Sequence, residues 1–341
     1  MITMRNLLTT LLLPFTLLFG TPTMADTDAQ LLVLSAPRAD DPYYARFREQ
    51  ILTFQIHYAK QILQNDTLMI LTDEEGYDRL TEEIPERYLL LHPMEDIWAR
   101  DYTTVTPRHP VQFRYAPAAQ AGDADAARVV QDRFREMARE NGLRFRTTDL
   151  ILDGGNLVSN GHDRVIVSDR FLEDNDLTHA QGLRKLRQVL RMTHVAIIPN
   201  DDPEGLAHAD GMVMFTDRNT LFVNRYDEPL RSRIHAELKR AFPEITPIEI
   251  PALWADTSYD KSFSSACGIY VNAVVTDRTI YLPQYGNSLD KTVLNIVRSH
   301  TEKTVVPVPT QGVCTMGGGP RCLTWQVMGS NAQRLLQATR E

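Results

Sequence analysis

The sequence predicts an α/β protein built from repeated strand–strand–helix–strand units that close into a ring. Three observations support this fold class. Hairpin-like segments that resemble one another recur along the chain, they are regularly spaced, and each is followed by an amphipathic helix and a short apolar strand. A single unit of this kind cannot cover its own apolar faces, so neighbouring units stack and tend to close on themselves.

The hairpins are the clearest repeat. Each has two β-rich runs joined by a polar turn that contains an Asp-Arg pair. They occupy residues 155–170, 212–225 and 270–284, and a fainter copy occupies 102–113. The arginines of the four turns are Arg108, Arg164, Arg218 and Arg278. Their steps of 56, 54 and 60 residues indicate repeated structural units of similar size.

Helices and closing strands follow the hairpins. After the second strong hairpin, Leu230, Ile234 and Leu238 share one face of a predicted helix. Apolar residues at the same spacing predict a helix after each of the other hairpins. A short apolar strand then closes each unit, and these strands are predicted at 144–148, 195–199, 247–251 and 305–309.

The two ends of the chain are predicted to form a fifth unit together. The N-terminal part supplies a strand at 31–35, a helix and a second strand at 68–71. The helix carries Phe47, Ile51, Phe54 and Tyr58 on one face. The C-terminal run 322–327 supplies the strand that completes the unit. No low-complexity linker interrupts the series, so residues 26–341 are interpreted as one domain.

The first 25 residues have the pattern of a secretory signal peptide. Arg5 provides a positive start, residues 7–19 are mainly apolar, and Thr23-Met24-Ala25 offers a small-residue cleavage site. The apolar run is too short to span a bilayer. We therefore expect a periplasmic or secreted protein without stable membrane insertion after cleavage.

Composition and cysteine usage narrow the function. The hydrophobic fraction of 43% is sufficient for a sizeable core, and the net charge of -8 argues against nucleic acid or anionic lipid as the main partner. The chain has three cysteines, an odd count that leaves at least one thiol free in an oxidising compartment. Two of them, Cys267 and Cys314, are expected either to be buried singly or to pair with each other.

Acids, amides and a histidine stand at positions of the repeat where apolar residues are expected. The first strand of each hairpin is predicted to lie nearest the axis of the ring, so these side chains are predicted to converge there. They are Asp101, Asp153, Asn156, His208, Asp210 and Asn272. Converging polar groups are costly unless they pair or bind a ligand, which favours a central polar site.

Cys322 completes a catalytic set. It follows the glycine-rich segment 316–321 and begins the last predicted strand. Backbone amides in such a segment can stabilise a thiolate. A cysteine, a histidine and at least two carboxylates together supply a nucleophile, an acid/base and a clamp for a cation. Taken singly, His208 could equally be a structural histidine. No second histidine or cysteine stands at metal-ligand spacing from it, so no metal is expected.

Five motifs occur in order along the chain. They are Trp98-Ala-Arg-Asp101, Asp153-Gly-Gly-Asn156, Gly205-Leu-Ala-His-Ala-Asp-Gly211, Tyr270-Val-Asn272 with Leu282-Pro-Gln-Tyr-Gly286, and Gly317-Gly-Gly-Pro-Arg-Cys-Leu-Thr324. This series resembles the agmatine deiminase and Porphyromonas-type peptidylarginine deiminase family, over nearly all of the chain after the signal segment. The resemblance implies the pentein fold, a five-bladed α/β propeller.

The resemblance also implies roles for individual residues and a reaction. It implies that Cys322 is the nucleophile, that His208 is the acid/base, and that Asp101 and Asp210 grip the guanidinium group. The substrate-binding residues that it implies are Trp98, Asp153, Asn156 and Asn272. The implied reaction releases ammonia through a covalent thiouronium on the cysteine, without metal or organic cofactor. The implied substrate is a small guanidine or an arginine side chain of a peptide.

Three positions depart from the pattern of the family. Asp101 is followed by Tyr-Thr-Thr rather than Gly-Pro, Asp153 stands where agmatine-specific members have glutamate, and Arg321 precedes the cysteine in place of histidine or asparagine. Deimination remains the expected reaction, and agmatine, free arginine and peptidyl-arginine remain open as substrates. The alternative functions are a periplasmic guanidine-binding protein without catalysis and an amidinotransferase.

Overall fold

The computed structural model describes residues 30–254 and 264–339, so the predicted signal peptide at 1–25 lies outside the described residues. The strands are β1 Leu31–Ser35, β2 Thr67–Thr72, β3 Leu89–Leu91, β4 Val111–Arg114, β5 Arg146–Ile151, β6 Val158–Ser159, β7 Arg164–Ser168, β8 His194–Ile198, β9 Val213–Phe215, β10 Leu221–Asn224, β11 Ile248–Ile250, β12 Val274–Val275, β13 Thr279–Gln284, β14 Thr304–Pro309 and β15 Trp325–Val327. The helices are α1 Arg48–Ile62, α2 Glu74–Thr81, α3 Ala99–Tyr102, α4 Ala124–Glu140, α5 Arg170–Asp174, α6 His179–Leu190, α7 Leu230–Ala241, α8 Asp290–Arg298, α9 Pro320–Leu323 and α10 Gly329–Ala338.

These strands form five separate sheets that share one topology. Their orders are β15-β1-β2-β3, β4-β5, β6-β7-β8, β9-β10-β11 and β12-β13-β14. In the fourth of these, β10 pairs antiparallel with β9 and parallel with β11, and α7 forms the crossover between the two parallel strands. A crossover helix is the usual connection between parallel neighbours. The predicted strand–strand–helix–strand unit is therefore confirmed.

The weakest and the most distant predicted pairings are both present. In the faint hairpin, the first strand is reduced to a single antiparallel bridge between Val105 and Val111. At the chain ends, β15 pairs antiparallel with β1, with Leu31 opposite Val327. The C-terminal segment thus completes the unit that the N-terminal segment begins, as the sequence predicts.

Neighbouring units bury one another's apolar surfaces. Ile234 and Leu238 on α7 belong to the same buried cluster as Ala196 and Ile198 of β8, which is the closing strand of the preceding unit. This packing explains why one unit needs the next. None of the helices that the structure describes combines the length and the apolar composition needed to cross a membrane.

Segments just outside the first strands carry the polar residues singled out in the sequence, so the prediction that these six residues lie on the first strands is wrong. Asp101 lies in α3, Asp153 and Asn156 flank and end a 3-10 turn at Gly154–Asn156, and His208 and Asp210 flank and lie in a 3-10 turn at Ala209–Gly211. Asn272 lies two residues before the start of β12. Cys322 is also misplaced by the prediction, because it lies in α9 and the last strand begins at Trp325. Pro320 occupies the first turn of α9, where its fixed φ favours a helical start.

Candidate active site

Turns from different sheets bring the predicted residues to one cavity of about 320 Å³. Trp98, Asp101, His208 and Cys322 line this cavity. The other four predicted residues lie close by, in hydrogen-bond or ion-pair contact with site residues or with the backbone of their turns, and they are Asp153, Asn156, Asp210 and Asn272. Residues that are far apart in the chain thus meet in one place.

His208 stands between two carboxylates. Its Nε2 lies 3.1 Å from Oδ2 of Asp153, and its Nδ1 lies 3.8 Å from Oδ1 of Asp101. Burial lowers the pKa of His208, but Asp101 and Asp153 outweigh burial and raise that pKa to about 9. The ring is therefore an imidazolium at neutral pH, and it can donate a proton to a leaving group.

Asp101 is held by a backbone amide at a glycine. The N–H of Gly155 donates to Oδ1 of Asp101 at 2.7 Å. A Cβ at Gly155 would lie 2.5 Å from Nδ1 of His208 and 2.7 Å from Oδ1 of Asp101, so no side chain fits between the two. Burial raises the pKa of Asp101 to about 7, although the charge of His208 opposes this rise. An incoming cation would favour the ionised carboxylate.

Cys322 is almost fully buried, with 8% of its surface exposed. Nδ2 of Asn272 donates to Sγ at 3.2 Å, and Oδ2 of Asp210 lies 3.9 Å from the sulfur. Burial raises the pKa of the thiol well above its ordinary value, and the charges of Asp210 and Asp101 raise it further. The sulfur is therefore a protonated thiol in the free protein.

Asp210 is paired with an arginine that the sequence marked as a departure from the family pattern. Its carboxylate is 1% exposed, and Oδ2 lies 3.4 Å from Nε of Arg321. Burial raises the pKa of Asp210, whereas Arg321 and His208 lower it. Arg321 thus helps to keep the carboxylate charged beside the sulfur of Cys322.

Asn156 has a positioning contact in the structure. Its Oδ1 accepts hydrogen bonds from the N–H of Ser168 at 2.8 Å and from the N–H of Ala209 at 3.2 Å. These bonds fix the turn that carries His208 and Asp210 against β7. The contacts make Asn156 part of the frame of the site, and its role in binding substrate stays a prediction.

One wall of the cavity was missed by the sequence analysis. It is formed in part by Tyr44, Asp96 and Gln120. The hydroxyl of Tyr44 donates to Oδ1 of Asp96 at 2.8 Å, and Nε2 of Gln120 donates to Oδ2 at 3.0 Å. Burial raises the pKa of Asp96. The only sequence signal was the position of Asp96 two residues before Trp98, because tertiary contacts bring the other two residues to the wall.

A disulfide lies close to another part of the cavity wall. Cys267 and Cys314 are bonded, with their Cα atoms 4.8 Å apart, and Cys322 is the free cysteine. Cys314 begins a 3-10 turn that ends at Met316, and Met316 and Gly317 line the cavity. Within residues 30–254 and 264–339, no group of three or more His, Cys, Asp or Glu side chains is arranged to hold a metal ion.

Solved structures with the same fold include agmatine deiminases. The Campylobacter jejuni (C. jejuni) agmatine deiminase has a TM-score of 0.73 and 17% identity, with 89% of this chain and 94% of that chain covered. A cysteine-to-serine variant of the C. jejuni enzyme with substrate bound gives the same values. The Enterococcus faecalis agmatine deiminase has a TM-score of 0.71 and 17% identity over the same shares of both chains. At these identities the likeness shows a common α/β fold.

Sequence comparison with families gives the assignment. The comparison with curated proteins returns no match. The Porphyromonas-type peptidyl-arginine deiminase family matches residues 26–327, which is most of the chain. The resemblance inferred from the five motifs is thereby confirmed. This chain belongs to the Porphyromonas-type peptidyl-arginine deiminase family.

Proposed function

We propose that this protein is a deiminase that hydrolyses guanidino groups, releasing ammonia and leaving a ureido product. The observation that carries the proposal is the convergence of one free thiol, one imidazolium and buried carboxylates on a single cavity. A flat cation with several N–H donors is the ligand that paired carboxylates recognise best. Family membership supports the same chemistry.

The charges around the sulfur explain why the substrate must be a cation. Three carboxylates and three cationic groups surround the thiol, and they are Asp101, Asp153 and Asp210 with His208, Arg100 and Arg321. With all six of these groups ionised, the set is neutral while the thiol keeps its proton. A bound guanidinium adds one positive charge, and loss of the thiol proton restores neutrality. Substrate binding therefore lowers the pKa of Cys322 at the moment when the thiolate is needed.

The reaction then proceeds in two halves. The thiolate of Cys322 attacks the central guanidinium carbon and forms a C–S bond, and His208 gives its proton to the departing nitrogen as the C–N bond breaks. Ammonia leaves and a thiouronium remains on the sulfur. Neutral His208 takes a proton from water, the resulting hydroxide attacks the same carbon, and the C–S bond breaks. The proton of the new hydroxyl group passes to the departing sulfur, the neutral ureido product leaves, and the thiol is restored.

The walls of the cavity favour one kind of charged group at the end of the substrate that lies away from the guanidinium. Among the described lining residues there is no lysine or arginine, so nothing there neutralises the carboxylate of free arginine. The buried Asp96 lies in this wall, and its carboxylate accepts hydrogen bonds from the uncharged groups of Tyr44, Gln120 and the Trp98 backbone. An ammonium group at the far end of the substrate would pair with Asp96. We therefore propose a guanidine with a cationic tail, such as agmatine, as the preferred substrate.

A side-by-side ammonia assay tests both parts of the proposal. Agmatine, an arginine-containing peptide and free arginine are each supplied to the wild-type protein and to the Cys322→Ala variant. We expect release from agmatine to be fastest, release from free arginine to be slowest, and no release by the variant. Ammonia release by Cys322→Ala at the wild-type rate would remove the sulfur from the mechanism. Guanidine binding without ammonia release would favour a binding protein, and turnover only with an added amine would favour an amidinotransferase.

The Asp96→Asn variant tests recognition of the substrate's cationic tail separately from the chemical reaction. We expect KM for agmatine to rise, while kcat/KM for a guanidine with a neutral alkyl tail stays at the wild-type value. Equal losses with both substrates would show that Asp96 acts on the structure of the wall and does not recognise the tail.

We propose in addition that the five sheets are the blades of a pentein propeller. Their shared topology and the pairing of β15 with β1 support closure of the chain into a ring.

We also propose that the protein acts outside the cytoplasm. The signal-like residues 1–25 and the Cys267–Cys314 disulfide support export, because disulfides persist in oxidising compartments.

A further inference from the structure

A second cavity, of about 530 Å³, lies at the other end of the first strands of the hairpins. Its rim consists of hairpin turns, and the turn residues that line it are 106–109, 160–163, 216–218 and 276–277. β6 shows the relation to the active site, because it begins just after the turn that ends at Asn156 and ends just before Asn160. No described residue lines both cavities, so the second one is a separate compartment.

Two buried arginines separate the two cavities. Arg100 is 4% exposed and Arg321 is 9% exposed, and both line the second cavity. Each directly precedes a residue that lines the active site, since Asp101 follows the first and Cys322 follows the second. The two guanidinium groups are therefore near the reactive centre while they line the opposite cavity.

The hydrogen bonds of these arginines are made to uncharged groups. Nη2 of Arg100 donates to Oε1 of Gln326 at 3.0 Å, and Nη2 of Arg321 donates to the carbonyl of Leu157 at 3.1 Å. Among the described residues, Asp210 is the one carboxylate within 4.0 Å of Arg321, and none lies that close to Arg100. Burial and the neighbouring charge of Arg321 together lower the pKa of Arg100 to about 9, although Asp210 and Asp101 oppose this fall.

A lysine adds a third cation on the wall. Nζ of Lys303 donates to the carbonyl of Thr276 at 2.5 Å, and no described carboxylate lies within 4.0 Å of it. Burial lowers the pKa of Lys303, although Asp277 and Asp217 oppose this from a greater distance.

The acids of this wall are already engaged. Asp163 pairs with Arg164 at 3.2 Å and with Arg218 at 3.3 Å. Asp277 lies 3.7 Å from Arg108. The third acid, Asp217, accepts the N–H groups of Asn219 and Thr220 at 2.8 Å and 2.9 Å. Among the described lining residues, five lysines and arginines stand against three aspartates, so the wall keeps an excess of positive charge. A buried charge without a partner is costly, and an anionic ligand removes that cost.

We propose that this second cavity binds a small multivalent oxyanion, held by Arg100, Arg321 and Lys303. The arginines supply planar donors that match carboxylate and phosphate oxygens, and the lysine supplies a point charge. The volume of the cavity accommodates an anion of the size of phosphate or of a tricarboxylate such as citrate. The ligand site is a separate cavity from the one proposed for deimination, and the two share Arg100 and Arg321 as their dividing wall.

The proposal is tested by calorimetric titration. The wild-type protein is titrated with citrate and with inorganic phosphate, in a buffer free of other multivalent anions. We expect saturable binding of at least one of the two, with the tighter anion identifying the carboxylate or the phosphate class. Lys303→Gln should weaken that binding at least tenfold. Lys291→Gln is the matched control, because Lys291 is exposed and does not line the cavity. This variant should bind the anion as tightly as the wild type does.

Absence of binding by both anions at millimolar concentration would overturn the proposal. Equal binding by wild type and Lys303→Gln would also overturn it, because the anion would then lie elsewhere. Ammonia release measured without added anion should be the same in wild type and in Lys303→Gln. The titration reads binding directly, so its result is independent of whether the chain is a deiminase.

Discussion

Nε2 of His208 lies 3.1 Å from Oδ2 of Asp153, and this contact sets the protonation state of the proposed acid/base. The two residues are 55 positions apart in the chain, so their contact joins two different units of the fold. Asp153 is held in turn by the N–H of Ala116, which donates to its Oδ1 at 2.7 Å. A fixed carboxylate on one nitrogen orients the ring and favours the imidazolium.

The pH dependence of turnover follows from this contact. Asp101 and Asp153 raise the pKa of His208 to about 9, so loss of its proton should end activity on the alkaline side near that pH. In Asp153→Asn the pKa of His208 should fall, and the alkaline limb of kcat should move down by roughly one unit or more. The measurement is the pH profile of ammonia release. An unmoved limb would show that another group titrates there.

Stability should depend on pH through the same pair. The folded-state pKa of His208 is raised above its ordinary 6.5, so its stabilising contribution is fully present below about pH 6.5 and is lost as the pH rises through about 9. Asp153→Asn should therefore lower the free energy of unfolding more at about pH 6 than at about pH 9.5. Urea unfolding at both pH values checks this difference, and equal losses would contradict it.

Asp101→Asn should weaken productive binding of the guanidinium group. The charged acceptor is replaced by a neutral amide, and a hydrogen bond to a charged group is worth about 1.5–3 kcal/mol, so kcat/KM should fall roughly 10- to 100-fold. Steady-state kinetics with agmatine gives the value. Asp149→Asn serves as the control, because Asp149 is exposed on β5, and it should leave kcat/KM unchanged.

Gly155→Ala should inactivate the protein, because the added Cβ would lie within 2.7 Å of both His208 Nδ1 and Asp101 Oδ1. Gly211→Ala is the matched control on the neighbouring 3-10 turn, where a Cβ meets no atom within 4 Å. Ammonia release and the melting temperature are measured for both variants. Full activity in Gly155→Ala would mean that the contact between the ring and the carboxylate is not needed.

Removal of the disulfide should lower stability and disturb one wall of the cavity. The bond joins cysteines separated by 47 residues, and loss of such a cross-link costs about 2–4 kcal/mol. The double variant Cys267→Ser with Cys314→Ser should have a lower melting temperature and a higher KM, because the cavity-lining residues Met316 and Gly317 are two and three positions after Cys314. Wild-type values for both quantities would show that the loop holds its place without the bond.

The sequence determined the repeated unit, because apolar periodicity and turn composition are local properties that a single chain segment carries. The hairpins at 155–170, 212–225 and 270–284, their helices and their closing strands could all be placed from these patterns. The sequence also determined which residue types assemble at the site, since polar residues at Asp101 and His208 break a pattern that otherwise favours a core.

The tertiary structure alone decided the contacts that give those residues their chemistry. It decided that His208 stands between two carboxylates, that Arg321 faces Asp210, and that Asp96 lies in the wall of the cavity. Each of these depends on distances between segments that lie far apart in the chain, and no local pattern encodes such distances. Burial of those groups together shifts the pKa values of the thiol and the imidazole, because charges interact strongly where water is excluded.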